Sequence, residues 1–278
     1  MNDLGNPPIS RLLRAVTWLE VAILAWAGAG LMLHPPLVTG VWPWALAPFN
    51  QRYLGALYAA ALIAAWLQAR AGRWSPGRLV TTMIFVFTLV VTIYSFVHIE
   101  RFDFARVEAW IWFGLYIGVC LNAGCHLWRY RSIRLADRAP ASRGLRSWLL
   151  PLVVGLGGYG LALLAVPDLA SRFWPWKLDA FHAQLYSVTF LTPAAGAALV
   201  LAGATRTERR ALGLTLAGWG ALPLAGLLWV DLSVHRVDWC SPGPWLWGLL
   251  FLLMTLAGIA LAKGGAHAPA TGAAGAGA

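Results

Sequence analysis

Eight stretches of about 20 residues, each apolar almost throughout, leave this chain few folds to adopt. A helix needs about 20 apolar residues to cross the hydrocarbon core of a bilayer. In hydrocarbon the backbone must satisfy its own hydrogen bonds, so such runs read as spanning helices. The predicted spans are 15–33, 52–69, 79–98, 108–128, 147–166, 182–203, 211–230 and 244–262. The first is too long for the core of a signal peptide and is read as a retained helix. Composition agrees: 59% of the 278 residues are hydrophobic and 12% are charged, where soluble domains carry about 25% charged residues. That deficit rules out a disordered chain and argues against an ordinary soluble enzyme.

The net charge of +10 sorts by loop. Arg11, Arg14, the 70–78 turn, the 129–146 linker, the 206–210 turn and Lys263 hold most of the basic residues. The exceptions are Arg52, Arg101, Arg106, Arg172, Lys177 and Arg236. Short basic loops stay cytoplasmic, so both termini are predicted inside, and the excess needs no nucleic-acid partner. Most acids fall at the opposite ends of the spans. The Ala/Gly/Arg-rich, Lys-poor composition points to a bacterial inner membrane. Cys120, Cys125 and Cys240 form no metal or redox spacing; the first two read as buried structural thiols. The tail 264–278 is small-residue, low-complexity sequence and is predicted disordered.

The chain repeats itself. Trp42-Pro43-Trp44 returns as Trp174-Pro175-Trp176, an offset of 132. At that offset Gly28 matches Gly160, Pro35 matches Pro167, Leu46 matches Leu178 and Phe49 matches Phe181. Val97-His98 returns as Val234-His235, and Trp110-Ile111-Trp112 as Trp245-Leu246-Trp247. The prediction is an all-α integral membrane protein of eight transmembrane helices. It is built as two tandem four-helix units (15–129 and 147–263) around a pseudo-two-fold axis along the membrane normal. Residues 1–14 form a cytoplasmic N-terminus and 130–146 a basic cytoplasmic linker.

Two constellations are candidates for function, both on the outer side. Trp42, Trp44, Trp174 and Trp176 lie in loops where Trp anchors the headgroup level; they equally suit an aromatic wall for an apolar ligand. The segment carrying His98, Arg101 and Asp103 recurs with His235, Arg236 and Asp238. Such segments fit a polar helix end, a proton-handling or anionic-ligand site, or a cofactor site. In the last case His98 and His235 would ligate a divalent metal or, axially, a haem. His182, whose counterpart is Asn50, would join asymmetrically. Glu20 lies within the first span, where an acid is expensive; it reads either as a functional group or as one that snorkels or pairs with an interfacial Arg. Gly28 and Gly30, with Gly155, Gly157, Gly158 and Gly160, suggest that the first helix of each unit packs tightly, at the interface between the halves or, alternatively, in a helix dimer between subunits. No charged run lines the span centres, no phosphate loop or nucleophile elbow appears, and no Lys is placed for a Schiff base.

The Trp-Pro-Trp loop and the Val97-His98…Arg101-Phe102…Phe104 segment before a W-x-W span resemble a loose group of uncharacterised Trp-rich bacterial multi-span membrane proteins. The resemblance covers both halves and carries no catalytic residues with it. The expected function is a ligand-binding or accessory subunit with an outer-face site between the repeats. Its partners would be the lipid bilayer, a larger membrane complex or an apolar small molecule. A metalloenzyme or haem- or quinone-linked redox protein, and a small-solute transporter, are the alternatives.

Overall fold

A computed structural model describes residues 5–264. Eight of its helical segments are long and apolar enough to cross a membrane, and their apolar surfaces suit a lipid bilayer. Helix α1 (Arg11–Leu33) is followed by a single turn, α2 (Pro36–Thr39), then α3 (Pro48–Ala71), α4 (Trp74–Val97) and α5 (Val107–Arg129). The second half runs α6 (Arg143–Ala165), a short α7 (Pro167–Ala170), α8 (Ala180–Tyr186), α9 (Val188–Leu201), α10 (Arg206–Val234) and α11 (Pro242–Gly264).

Local chemistry sets these ends and lengthens most of the predicted spans. Helix α1 begins four residues before the predicted 15, because Ser10 accepts the Leu13 N–H and caps it. Ser142 likewise accepts from Leu145, so the end of the basic linker is helical. Pro48 opens α3 with no N–H to waste, and Gly72, at φ 58°, closes it in the left-handed conformation. The sixth span is interrupted at Ser187, whose hydroxyl binds the Gln184 carbonyl. Of the predicted 264–278 tail, Gly264 ends α11 and the remainder lies outside the described residues.

The halves are interleaved. Helix α3 packs along α10, α9 packs along α4, and α4 meets α10 in the middle. Helices α1, α5, α6 and α11 form the outer layer on α3, α4, α9 and α10 respectively. The expected packing of the glycine-bearing first helices at the interface between the halves is therefore corrected. A Cβ at Gly28 would stand 2.8 Å from the Ala59 nitrogen of α3, and one at Gly160 2.6 Å from the Leu191 side chain of α9. Gly155 and Gly158 have nothing near them. Each glycine stripe thus serves a contact inside its own half. Helices α10 and α11 approach backbone to backbone, and a Cβ at Gly213, Gly220 or Gly258 would overlap the facing chain. Cys120 is buried as expected, whereas Cys125 is exposed on the outer surface of α5.

At the end of the bundle that carries the Arg-rich turns, a polar knot ties α4 to α10. Arg78 donates from Nε and Nη2 to the two oxygens of Glu208 at 2.8 and 2.9 Å, and from Nη2 to the Gly203 carbonyl at 3.0 Å. Glu208 is fully buried and also accepts the Thr205 N–H, as the acidic half of a capping box. The Ser75 hydroxyl meets those of Thr205 and Thr207, each at 2.6 Å.

Candidate functional site

At the other end, the first His segment is docked on the second half. The Gln184 amide nitrogen donates to the Leu164 carbonyl at 2.9 Å, which turns its oxygen toward His98. His98 therefore donates from Nε2 to that oxygen at 2.6 Å. Its Nδ1 lies 3.6 Å from Glu100. Arg101 pairs with Asp179 at 3.3 Å and sits over the Phe181 ring. Asp179 caps α8 and accepts from His182 Nδ1 at 2.6 Å. Partial burial works to raise the Asp179 pKa. The hydrogen bonds from the His182 backbone and ring, with the charges of His182 and Arg101, outweigh it and hold the carboxyl below its ordinary value.

A depressed carboxylate contributes stability above its unfolded-state pKa of about 3.9, and that contribution is lost as pH falls through the folded value. Asp179→Asn is accordingly expected to lower the melting temperature at neutral pH. The gap from wild type, followed by thermal melts in detergent, should close as pH drops below about 4.

The second His segment does something else. His235 ends α10 with φ 47°. The turn beyond it wraps around Asp231, which accepts the N–H groups of Arg236 and Val237 and the Trp239 indole at 2.7 Å. Arg236 and Asp238 line a shallow recess beside Arg172 and Trp174. Asp103 and Asp238 each accept a backbone N–H two residues ahead, from Ala105 and Cys240, and so form local turns. Among the described residues, no hydrogen bond, ion pair or ring contact joins one His segment to the other, and no group of three His, Cys, Asp or Glu is arranged to hold a metal ion. The first segment bridges the halves through α8, while the second closes its own turn.

The Trp-Pro-Trp loops turn inward. Trp42 and Trp174 are buried, and Trp44 and Trp176 are half-buried. Trp176 stacks on Phe49 at 5.4 Å and donates to the Asn50 side chain at 2.9 Å. Trp44 packs edge-on to Phe181 at 5.0 Å, near His182. Trp42 packs on Trp44, Tyr58 and Trp112. Such pairs add about 0.5–1.5 kcal/mol each beyond burial, so these loops are part of the core.

Trp42 also forms part of a cavity of about 420 Å³ bounded by α1, α3, α4 and α5, with Thr192 of α9 and Trp219 of α10. Its walls are almost wholly apolar, with aromatic faces from Trp42, Tyr58, Phe87, Trp112, Tyr116 and Trp219. Tyr58 and Tyr116 join their hydroxyls at 2.8 Å. Trp26, Val107 and Ile111 line the cavity and are also exposed on the outside. Helices α1 and α5 touch over little of their length, so the cavity reaches the surface between them.

Glu20 lies in this wall, and its Oε2 is enclosed without a hydrogen-bond partner. Among the described residues no Arg pairs with it, so the pairing with an interfacial Arg is not formed. An unpaired acid inside a span costs up to about 3 kcal/mol. Glu20→Leu is expected to raise thermal stability in detergent by about 1–2 kcal/mol. A loss of stability would mean that the carboxyl is held by contacts this geometry does not contain.

No protein-family model, curated protein or solved structure matches the chain. The residues that sequence reasoning missed are Gln184 and Asp179 in the cluster around His98, and Tyr58 and Tyr116 in the cavity. For the first pair the one hint in the sequence was the mismatch of His182 with Asn50, which marks the segment but not its partners. Nothing local distinguishes the two tyrosines from ordinary core residues.

Proposed function

We propose that this chain is a multi-pass protein of a bacterial inner membrane that binds a small apolar molecule, taken up sideways from the lipid into the cavity between α1 and α5. The observation that carries this reading is the cavity itself: enclosed by aromatic faces, nearly devoid of polar lining, and open on a face of the bundle that suits lipid. Pockets of about 300–1,000 Å³ hold small ligands with most of their surface buried. With an accessory or carrier role, such a site needs no catalytic group.

The duplicated architecture belongs to the same proposal, with both termini cytoplasmic. Helices α1 and α6 are each 23 residues long, begin 132 apart and are both capped by serine. Helices α5 and α11 are also both 23 residues long. Trp110 and Trp245 each donate an indole N–H to the carbonyl six residues back, at 3.0 Å. Phe49 packs on the Trp176 of the other half, and Phe181 on Trp44 in return. A pseudo-two-fold axis along the membrane normal accounts for this exchange.

The test is gentle extraction from native membranes, followed by mass spectrometry of organic extracts and of the intact complex. The expected result is a lipophilic molecule held at close to one per chain. A protein that is empty under every extraction condition, and that no lipophile stabilises, would sink the reading.

A further inference from the structure

The two halves treat the same space differently, and the difference names the chemistry of what enters the cavity. This inference rests on the apolar-ligand reading and on the 132-residue correspondence. In the first half, Ala27, Val41, Trp42 and Tyr58 line the cavity. Their counterparts are Tyr159, Phe173, Trp174 and Phe190. There Tyr159 fills the space that Ala27 leaves open. Its ring lies 5.3 Å from Phe173 and 4.6 Å from Phe190. Its hydroxyl accepts from Trp174 Nε1 at 2.7 Å and donates to the Ala170 carbonyl at 3.0 Å.

Trp42 holds the same pose as Trp174. It lies 5.6 Å from Trp44 and 5.7 Å from Trp112, against 5.1 Å from Trp176 and 6.0 Å from Trp247 for its counterpart. Yet the Trp42 indole N–H, in a side chain 5% exposed, has no partner. A buried donor left unsatisfied costs about 1–3 kcal/mol; the indoles of Trp44, Trp74, Trp219 and Trp247 are likewise enclosed without a partner, but of the five only those of Trp42 and Trp219 line the cavity. The second half satisfies this donor with a phenol of its own; the first half has an opening to the surface instead.

We infer that the cavity binds a lipid-soluble molecule whose head is an oxygen-bearing six-membered ring, of the phenol or quinone type. The ring occupies the place Tyr159 takes in the other half and accepts a hydrogen bond from Trp42 Nε1. An apolar tail runs along α1 toward Glu20, seven residues and therefore about 10 Å away along the helix. The match is one of shape as well as polarity, because Val41 and Tyr58 stand where Phe173 and Phe190 sandwich the tyrosine ring. Glu20 has no counterpart in the second half, where Leu152 takes its place.

The experiment compares two probes on the purified full chain: a para-benzoquinone with a decyl tail, and decylbenzene, which lacks the oxygens. Binding is read by calorimetry and by thermal shift, on wild type, Trp42→Phe and Ala27→Tyr. The wild type is expected to prefer the quinone about tenfold, the worth of one hydrogen bond. Trp42→Phe should erase that preference while keeping decylbenzene affinity, and Ala27→Tyr should exclude both probes. A third variant, Ala27→Phe, reads the geometry without any ligand: Ala27→Tyr should melt higher than Ala27→Phe, because only the tyrosine hydroxyl reaches Trp42.

Equal binding of the two probes, or a quinone preference that survives Trp42→Phe, would overturn the oxygen-headed ligand and leave the apolar-ligand reading standing. If neither probe binds wild type and Ala27→Tyr retains whatever co-purifies with the chain, the apolar-ligand reading fails as well.

Discussion

Arg78→Ala is expected to be among the most damaging single substitutions in this chain. Glu208 is fully buried, and its carboxylate is held by the Arg78 guanidinium and by the Thr205 N–H. Removing the arginine leaves that charge enclosed with one neutral donor. Breaking a buried pair from one side typically costs about 3–5 kcal/mol, which for a chain of this size is a fall in melting temperature of about 10 °C. The damage falls on the contact between α4 and α10, so the two halves should loosen together. Arg78→Met with Glu208→Leu is expected to recover most of the loss, because it removes the charge instead of stranding it. Thermal melts in detergent of wild type, Arg78→Met, Glu208→Leu and the double variant form a complete cycle, with Arg78→Ala run beside them. A double variant no better than Arg78→Ala would show that the guanidinium's bond to the Gly203 carbonyl, not the ion pair, holds this end.

A comparable effect is expected from Gly258→Val, for a reason that involves no charge. A Cβ at Gly258 would overlap the Ala217 nitrogen on the facing helix and lie 2.6 Å from the Gly213 carbonyl oxygen. Those are backbone atoms and cannot turn aside, so α11 must lift away from α10. Overpacking a tight site costs about 1–3 kcal/mol and at times more; at a backbone-on-backbone contact the upper figure or beyond is expected. The natural control is in α5, where Gly114 and Gly118 face nothing within 4 Å. Alanine at either should be neutral or stabilising by up to about 1 kcal/mol, the intrinsic helix preference. Expression level and melting temperature of the three variants separate the cases. A tolerated Gly258→Val would mean that the helices are not this close.

What the sequence made legible follows from the solvent it is built for. Apolar runs long enough to cross hydrocarbon can hardly be anything but helices, and the eight predicted spans differ from the observed ones mainly at their ends. Those ends were misplaced because caps such as Ser10 and Ser142 precede the apolar stretch and lie among polar residues. The partners of the helices were not legible. Gly28 and Gly160 announced close packing, but a small residue does not say which helix approaches it, and each proved to face its own half. The cluster around His98 was half visible. His98 and Arg101 stand out as polar residues at a helix end, while Gln184 and Asp179 owe their role to α8 lying across from them, which no spacing encodes. The cavity was the least visible feature, because it is made by what is missing. Ala27 reads as a good helix former until Tyr159 is set beside it.

The interleaving of the halves has a consequence for how the chain came to be asymmetric. Helix α3 takes its main partner, α10, from the other half, and α9 takes α4. Under the duplication proposed above, a single four-helix unit meeting a second copy of itself would make the same pair of contacts twice. In that assembly every residue is present in both subunits, so a tyrosine that plugs one side plugs the other, and an acid placed in one wall appears in both. Joining the copies through the 130–142 segment lifts that restriction. One side is then free to become solid and carry the load of holding the bundle together, while the other stays hollow and keeps Glu20 in its wall at a cost its twin can absorb.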